Sequence, residues 1–350
     1  MAEQVRIGLI GVGRIGQLHA AALASNVPNA ELVAVADVAA DAARATAEAH
    51  QVPRWTTDAE SVIADPAIDA VVIASSTDTH APLTIAAARA GKAIFCEKPI
   101  ALDLETTDAA LAAVQAAGVP FQIGFQRRFD AGYRKAKDLI ASGALGRIEM
   151  IRDAMRDPAP APRAYLERSG GLYRDMTIHK FDSVRWLMGD EPTDVFAMGA
   201  ALVDPMFAEL DDVDTSVVSL RFGNGAIASI ENSRRSGFGY DVRTEIFGSE
   251  GALFVGYARD TPVLRFDANG VHSDHIHFFL ERFHDAYVDE LRAFVASIVA
   301  GRPVAPGGAD ARAALAMAYT AEASRAENRP MSYARFATAD GESASRQAGE

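Results

Sequence analysis

The sequence predicts an α/β chain: a doubly wound parallel sheet, followed by an α+β domain built on a large, mostly antiparallel open sheet. Three observations lead there. Over the first third, short apolar runs alternate with Ala-rich stretches of helical spacing. A glycine cluster, Gly11-Val12-Gly13-Arg14-Ile15-Gly16, sits between the first apolar run and the first helical stretch. From about residue 195, strand-like runs then follow one another with no helix between them.

The first domain takes residues 1–124. Its strands are expected at 5–10, 31–36, 70–74, 93–96 and 121–124, as apolar runs that helices would cover on both faces. Its helices are expected at 15–24, 39–50, 82–90 and 104–117. The second domain takes residues 125–336. It opens with a basic stretch (Arg127, Arg128, Arg134, Lys135, Lys137) and a strand at 148–154. A Pro-rich segment at 157–163 and Gly170-Gly171 precede a helix at 175–187. Strands are expected at 195–200, 215–222, 226–233, 242–248 and 252–256, separated in part by Gly-containing turns such as Gly223-Asn224-Gly225. Helices return at 278–300 and 310–328, and these last helices are free to pack back on the first domain. A polar tail from 337 to 350 is expected to be flexible.

Bulk properties narrow the function. The chain has 350 residues, is 49% hydrophobic and carries a formal net charge of −13, with 47 acidic against 34 basic side chains. That surface repels phosphate backbones and anionic lipid, so neither nucleic acid nor membrane is expected as a partner. It does not oppose an anionic cofactor, because backbone amides bind phosphate locally. A lone cysteine, Cys96, fits a reducing compartment, and with no leader-like N-terminus a cytoplasmic location is expected.

The glycine cluster carries the first chemical signal. It follows a strand and opens a helix, the context in which GxGxxG binds a dinucleotide and the chain reads as a Rossmann-type domain. Gly11 permits the tight turn, Gly13 the approach of a pyrophosphate, and Gly16 close helix–strand packing. Arg14 and Ile15 fall in the same turn. Asp37 ends the second strand, 21 residues after Gly16, where an acidic side chain binds the ribose 2′-hydroxyl and repels a 2′-phosphate. NAD is therefore expected over NADP; the alternative role for Asp37 is capping the next helix. Ser75, Ser76, Thr77 and His80 lie beyond the third strand, at the sheet edge where ligands bind, and also suit a helix cap.

Two further segments bear on catalysis: Cys96-Glu97-Lys98-Pro99 late in the first domain, and Asp175-Met176-Thr177-Ile178-His179 in the second. Oxidising an alcohol requires a base that titrates near neutrality, which suits His179. Asp175, four residues earlier on a helix, shares its face and can orient it or bind a neighbouring hydroxyl. Lys98 can hold the reacting oxygen. Since Lys98 lies on one domain and the pair on the other, the reaction is expected in an interdomain cleft.

In this order the motifs resemble the Gfo/Idh/MocA oxidoreductase superfamily, over most of the chain from Val5 to about Asn328. The segments 124–130 and 239–241 look most like inositol 2-dehydrogenases. The resemblance implies Lys98, Asp175 and His179 as the catalytic set, Glu97 and Lys98 beside the cofactor, and Arg127, Asp157, Tyr240 and, more loosely, Tyr287 near the substrate. It also implies a dimer or tetramer built on the open sheet. One departure is visible: where some inositol enzymes carry a tryptophan, this chain reads Phe278-Phe279-Leu280-Glu281-Arg282-Phe283.

The expected activity is NAD-dependent oxidation of a secondary hydroxyl of a cyclic polyol or sugar, myo- or scyllo-inositol foremost, to a ketone. Alternatives are an aldose 1-dehydrogenase or another sugar-ring dehydrogenase and, from another class, a catalytically silent NAD-binding regulator. His272, His275 and His277 cluster, but no cysteine partners them and no HExxH motif occurs, so no metal site is expected.

Overall fold

The computed structural model describes residues 4–256 and 259–337. The polar tail expected from 337 lies, beyond Ala337, outside the described residues. The chain forms two compact units, Met1–Phe129 with Asp285–Leu315, and Asp130–His284 with Ala316–Glu350.

The first unit runs β1 (Val5–Ile10), α1 (Arg14–Ser25), β2 (Ala30–Ala36), α2 (Ala40–His50), β3 (Arg54–Thr56), α3 (Ala59–Ile63), β4 (Ala70–Ile73), α4 (Thr77–Arg89), β5 (Ala93–Glu97), α5 (Leu104–Ala117) and β6 (Phe121–Gly124). Its six strands pair in the order β3-β2-β1-β4-β5-β6, and each pair is parallel. This is the doubly wound order in which the connections reverse beside β1, opening a crevice at the strand C-terminal ends. Val71, Val72 and Ile73 of β4 are fully buried, as helices on both faces require.

Sequence pattern and structure differ here in two places. The edge strand β3 and the helix α3 were not expected; three residues, Arg-Trp-Thr, are too few to show a period. Helix α4 starts at Thr77, not at Pro82. Pro82 suggests a first helical turn, but Ser76 is the N-cap and Asp78 meets the helix dipole in the first turn. Thr77 and His80 are thus helical rather than loop residues.

The second unit follows with α6 (Ala131–Ala141), β7 (Ile148–Arg156), α7 (Arg163–Ser169), α8 (Ile178–Met188), β8 (Pro192–Ala200), α9 (Pro205–Glu209), β9 (Thr215–Phe222), β10 (Ile227–Ser233), β11 (Asp241–Gly248), β12 (Gly251–Val255), β13 (Leu264–Asp267), β14 (Gly270–Ser273) and α10 (Phe279–Arg282). The chain ends with α11 (His284–Val299), α12 (Gly308–Glu327), β15 (Met331–Ser332) and α13 (Ala334–Ala337). The large sheet has the order β12-β11-β7-β10-β9-β8-β15. Its pairs are antiparallel except β7 with β10. Along β9, buried Val218, Leu220 and Phe222 alternate with exposed Val217, Ser219 and Arg221, so one face is covered and the other open.

The helix expected over 278–300 is two helices, broken at Phe283, whose ring is fully buried. The break coincides with the change of unit. After it, Val288, Leu291, Phe294 and Val295 join the core formed by Ile7, Leu9, Val35 and Phe95. Each such side chain contributes about 1.5–3 kcal/mol on burial. That gain places residues 285–315 in the first unit, and residues 125–129 continue it past the expected boundary at 124.

Helix α8 lies against β7 in the second unit. Lys180, fully buried, is ion-paired with the equally buried Asp153 of β7, and its Nζ is 3.4 Å from the Tyr133 hydroxyl of α6. The Tyr133 hydroxyl in turn lies 2.7 Å from Thr244 Oγ1 of β11. This charge pair fixes the register of the helix that carries His179. Lys180→Met, which strands a buried carboxylate, is expected to destabilise the protein by about 3–5 kcal/mol, and Lys180→Met with Asp153→Leu to recover most of that. Urea unfolding of both variants checks this; equal loss in the two shows that the pair itself is not the source.

Candidate active site

The glycine turn is shaped by close backbone approach. Gly11 has φ of +91°, and a Cβ there would meet Ser75 N at 2.4 Å; one on Gly16 would meet Gly11 O at 2.0 Å. A Cβ on Gly13 would meet nothing within 4 Å. Gly13 is the N-cap of α1, whose first turn no side chain caps. Exposed Gly13 and Arg14 and half-buried Ile15 thus rim a helix N-terminus with open space before it. That arrangement fits a diphosphate.

Asp37 closes the adjacent strand end. Its Oδ2 accepts from Val12 N at 2.8 Å and its Oδ1 from Ala39 N at 2.9 Å. Helix α2 begins at an N-cap, Ala39, with no side-chain cap, so Asp37 is tied to the glycine turn rather than capping that helix. Each oxygen keeps acceptor capacity for a ribose hydroxyl.

Ser75 Oγ and Thr79 Oγ1 lie 2.6 Å apart, and Thr79 donates to Ser76 O at 2.8 Å. His80 turns inward. Its Nδ1 lies 2.8 Å from Pro99 O and its Nε2 3.0 Å from Ser75 O, so both nitrogens face backbone carbonyls and not a ligand. Burial lowers its pKa, partly opposed by those two carbonyls. Half-buried Glu97 and Lys98 follow from the end of β5. Glu97 Oε1 is 2.7 Å from Nε2 of His19 on α1, and Glu97 Oε2 lies 3.0 Å from where a Cβ on Gly124 would stand.

Asp175 sits in a π-helical turn, Tyr173–Thr177, that leads into α8. The expected α-helical spacing to His179 therefore includes one widened turn, a device common at functional sites. Asp175 Oδ1 accepts from Tyr165 Oη at 2.7 Å and Oδ2 from Arg234 Nη2 at 2.8 Å. Arg234 Nη1 also reaches Asp157 Oδ2 at 3.4 Å. Burial works against the Arg234 charge, but the carboxylates of Asp175 and Asp157 more than offset it and raise its pKa. Two side chains not expected from sequence thus tie the site in this unit: Arg234 joins Asp157 to Asp175, and Tyr165 donates to Asp175; His179 stands in the same unit, in the first turn of α8. The signal for Arg234 was weak: Arg234-Arg235 looks like a solvated pair at a strand end.

The other expected substrate residues are dispersed. Tyr240 packs against Phe278 and Phe283 at 6.0 and 6.4 Å between ring centroids. It lines a hollow of about 340 Å³ with Phe238, Arg243 and His275. Arg127 is buried in a 3-10 turn after β6. Tyr287 is buried in the first unit, where its hydroxyl accepts from Gln126 Nε2 at 3.1 Å. Of the three clustered histidines, His272 pairs with Asp267 at 3.2 Å and His275 meets Phe238 at a tilt, with 6.0 Å between ring centroids. Among the described residues, the group of three side chains able to hold a metal is instead His19, Glu97 and Glu290.

A doubly wound sheet with an open glycine turn, joined to a mixed-sheet unit bearing a buried Asp–Arg–Asp network, defines a dinucleotide-binding protein of the two-unit dehydrogenase type. Residues 5–125 match the model of an oxidoreductase family with an NAD-binding Rossmann fold, and residues 133–254 match the GFO/IDH/MocA C-terminal domain. The chain belongs to the Gfo/Idh/MocA oxidoreductases. It is 44% identical to myo-inositol 2-dehydrogenase of Thermotoga maritima, over 93% of this chain and 97% of that one. It is 45% identical to inositol 2-dehydrogenase of Rhizobium meliloti, over 94% and 99%. A crystal structure of scyllo-inositol dehydrogenase from Lactobacillus casei with bound NAD(H) and scyllo-inositol superposes with a TM-score of 0.89 at 31% identity, covering 95% of this chain and all of that one.

Two predictions follow from the steric and charge arguments. Gly13→Ala is expected to leave stability within about 1 kcal/mol but to weaken NAD at least ~10-fold, whereas Gly16→Ala destabilises the fold by about 1–3 kcal/mol. Thermal melts and a fluorescence titration of NAD separate the two; tight NAD binding by Gly13→Ala removes the diphosphate from that turn. Arg234→Met is expected to cost about 3–5 kcal/mol and Arg234→Met with Asp175→Asn less, because the single variant leaves both Asp175 and Asp157 without their shared cation and the double variant only the more exposed, more distant Asp157. Additive losses in denaturant unfolding contradict the assigned pairing.

Proposed function

We propose that this protein oxidises a secondary hydroxyl of inositol to the ketone, with NAD as hydride acceptor. The observation that carries the reading is the near full-length likeness to myo-, scyllo- and other inositol 2-dehydrogenases. The geometry supports the substrate class. Asp157, Asp175 and Arg234 make a polar wall with one more negative than positive charge, which disfavours carboxylate and phosphate substrates and suits the hydroxyls of a neutral polyol.

NAD, when bound, supplies the nicotinamide that accepts hydride. Lys98 donates a charge-assisted hydrogen bond to the reacting oxygen and stabilises negative charge as it develops. His179 removes the hydroxyl proton while the carbon–hydrogen bond breaks and the C=O bond forms. Asp175, held by Tyr165 and Arg234, binds a neighbouring hydroxyl and sets the polarity around His179. Asp37 selects NAD over NADP by repelling a 2′-phosphate. The same reading includes a cytoplasmic location and a dimer or tetramer; exposed Met198, Val217 and Ile227 on the large sheet support assembly. Neither a sugar-ring dehydrogenase nor a silent regulator is favoured by these relatives. Among the described residues no helix is long and apolar enough to cross a membrane.

The test is NADH formation with NAD and a panel of inositol isomers, aldoses and hydroxy acids. Turnover is expected with myo- or scyllo-inositol. Lys98→Met and His179→Ala are each expected to lose at least ~10²-fold in kcat, and Asp37→Ala to narrow the preference for NAD over NADP. Tight NAD binding with no turnover of any polyol sinks the assignment.

A further inference from the structure

Three ionisable side chains in the first unit take no part in the chemistry above. His19 of α1, Glu97 of β5 and Glu290 of α11 bring one nitrogen or oxygen each to within 4.8 Å of one another. His19 and Glu290 are 0% exposed. Phe95 and Tyr287 flank the His19 ring edge-on at 5.4 and 6.0 Å. His19 Nε2 and Glu97 Oε1 are hydrogen-bonded, whereas neither oxygen of Glu290 meets a donor. Glu290 stands on the apolar face of α11, with Tyr287, Leu291 and Phe294.

Two carboxylates and a neutral imidazole would leave two negative charges among aromatic rings, at a cost of several kcal/mol. A single proton between the carboxylates removes most of that cost, as in other paired acids. We propose that Glu290 is a positioning residue for Lys98: it carries a proton in the working protein and, with His19, holds the Glu97 carboxylate and hence the peptide leading into Lys98. The inference rests on the reading of Lys98 given above.

Among the described residues, the titratable side chains clustered with Glu290 are Glu97 from β5 and His19 from α1. Burial first, and then the Glu97 charge, push the Glu290 carboxyl well above its usual value of 4.5. When Glu290 ionises, it repels Glu97. Glu97 is tied to His19 and lies where a Cβ on Gly124 would meet it at 3.0 Å, so its displacement carries the strand end with it.

The experiment compares the full-length wild type with Glu290→Gln and Glu290→Ala. A group protonated when folded and ionised when unfolded lowers stability as pH rises from 4.5 toward its folded pKa. The gain in Tm of Glu290→Gln over wild type is therefore expected to be near zero at pH 4.5 and to widen with pH. In turnover, Glu290→Gln is expected to stay within about 3-fold of wild type and to extend the alkaline limb of kcat. Glu290→Ala, which frees Glu97 to move, is expected to lose on the order of 10–100-fold.

A merely packed side chain predicts no movement of the pH profile. A Tm gap that is flat with pH, equal losses in Gln and Ala variants, or a stoichiometric divalent ion in the purified protein overturns the proposal. Full turnover by Lys98→Met overturns the reading of Lys98 instead, and the melts remain a separate test of the proton.

Discussion

The first unit depends on how the residues either side of Lys98 are held. On one side the Glu97 carboxylate meets His19; on the other the Pro99 carbonyl meets His80. His19 lies one turn into α1, which starts at the glycine turn, and His80 lies in the first turn of α4, which starts at the Ser75–Thr77 loop. The two loops proposed to face the dinucleotide are thus connected, by one imidazole each, to the backbone around Lys98. Gly11 lets the two loops approach closely, because a Cβ there would stand 2.4 Å from Ser75 N. Bidentate pinning of this kind restricts a residue on both sides without touching its own side chain.

The second unit uses charge where the first uses imidazoles. Lys180, on the helix that carries His179, is bonded to Asp153 of β7, and Arg234 spans Asp157 and Asp175. In each case a cation from one element meets a carboxylate from another. Such pairs contribute little net stability over apolar side chains of the same size. Their geometric demand is strict, however, since a shift of one residue leaves a charge unmatched.

This division explains what could be read in the sequence. The strand–helix alternation, the glycine turn and Asp37 obey local spacing rules, so β1, α1, β2 and the lysine after β5 were legible. The Asp175–His179 spacing was legible too, although its π-helical turn was not, because widened turns leave no trace in a residue pattern. Arg234 and Tyr165 were hidden because their partners lie 59 and 10 residues away in the chain, and an arginine after a strand reads as solvated. Tyr287 was placed near the substrate by resemblance alone, and its contact with Gln126 in the first unit joins residues 161 apart, which no local pattern reports. Glu290 offered a usable signal: a carboxylate three residues after Tyr287 and four before Phe294 falls on the buried face of its helix.

Buried ionisable groups therefore mark each element that carries a residue of the proposed reaction: His19 and Glu290 behind β5, Lys180 on α8, Arg234 against the π turn. If stability alone were at stake, leucine or methionine would serve as well in all of these places. A hydrophobic contact tolerates sliding by a fraction of an ångström, because its energy follows buried area. A buried hydrogen-bonded charge does not, because its energy falls steeply with distance and angle once water is excluded. Hydride transfer needs donor carbon, acceptor and base aligned within about that same tolerance. The polar interior is best understood as the means by which an apolar core, itself permissive of small displacements, holds its reactive side chains to positions that the chemistry can use.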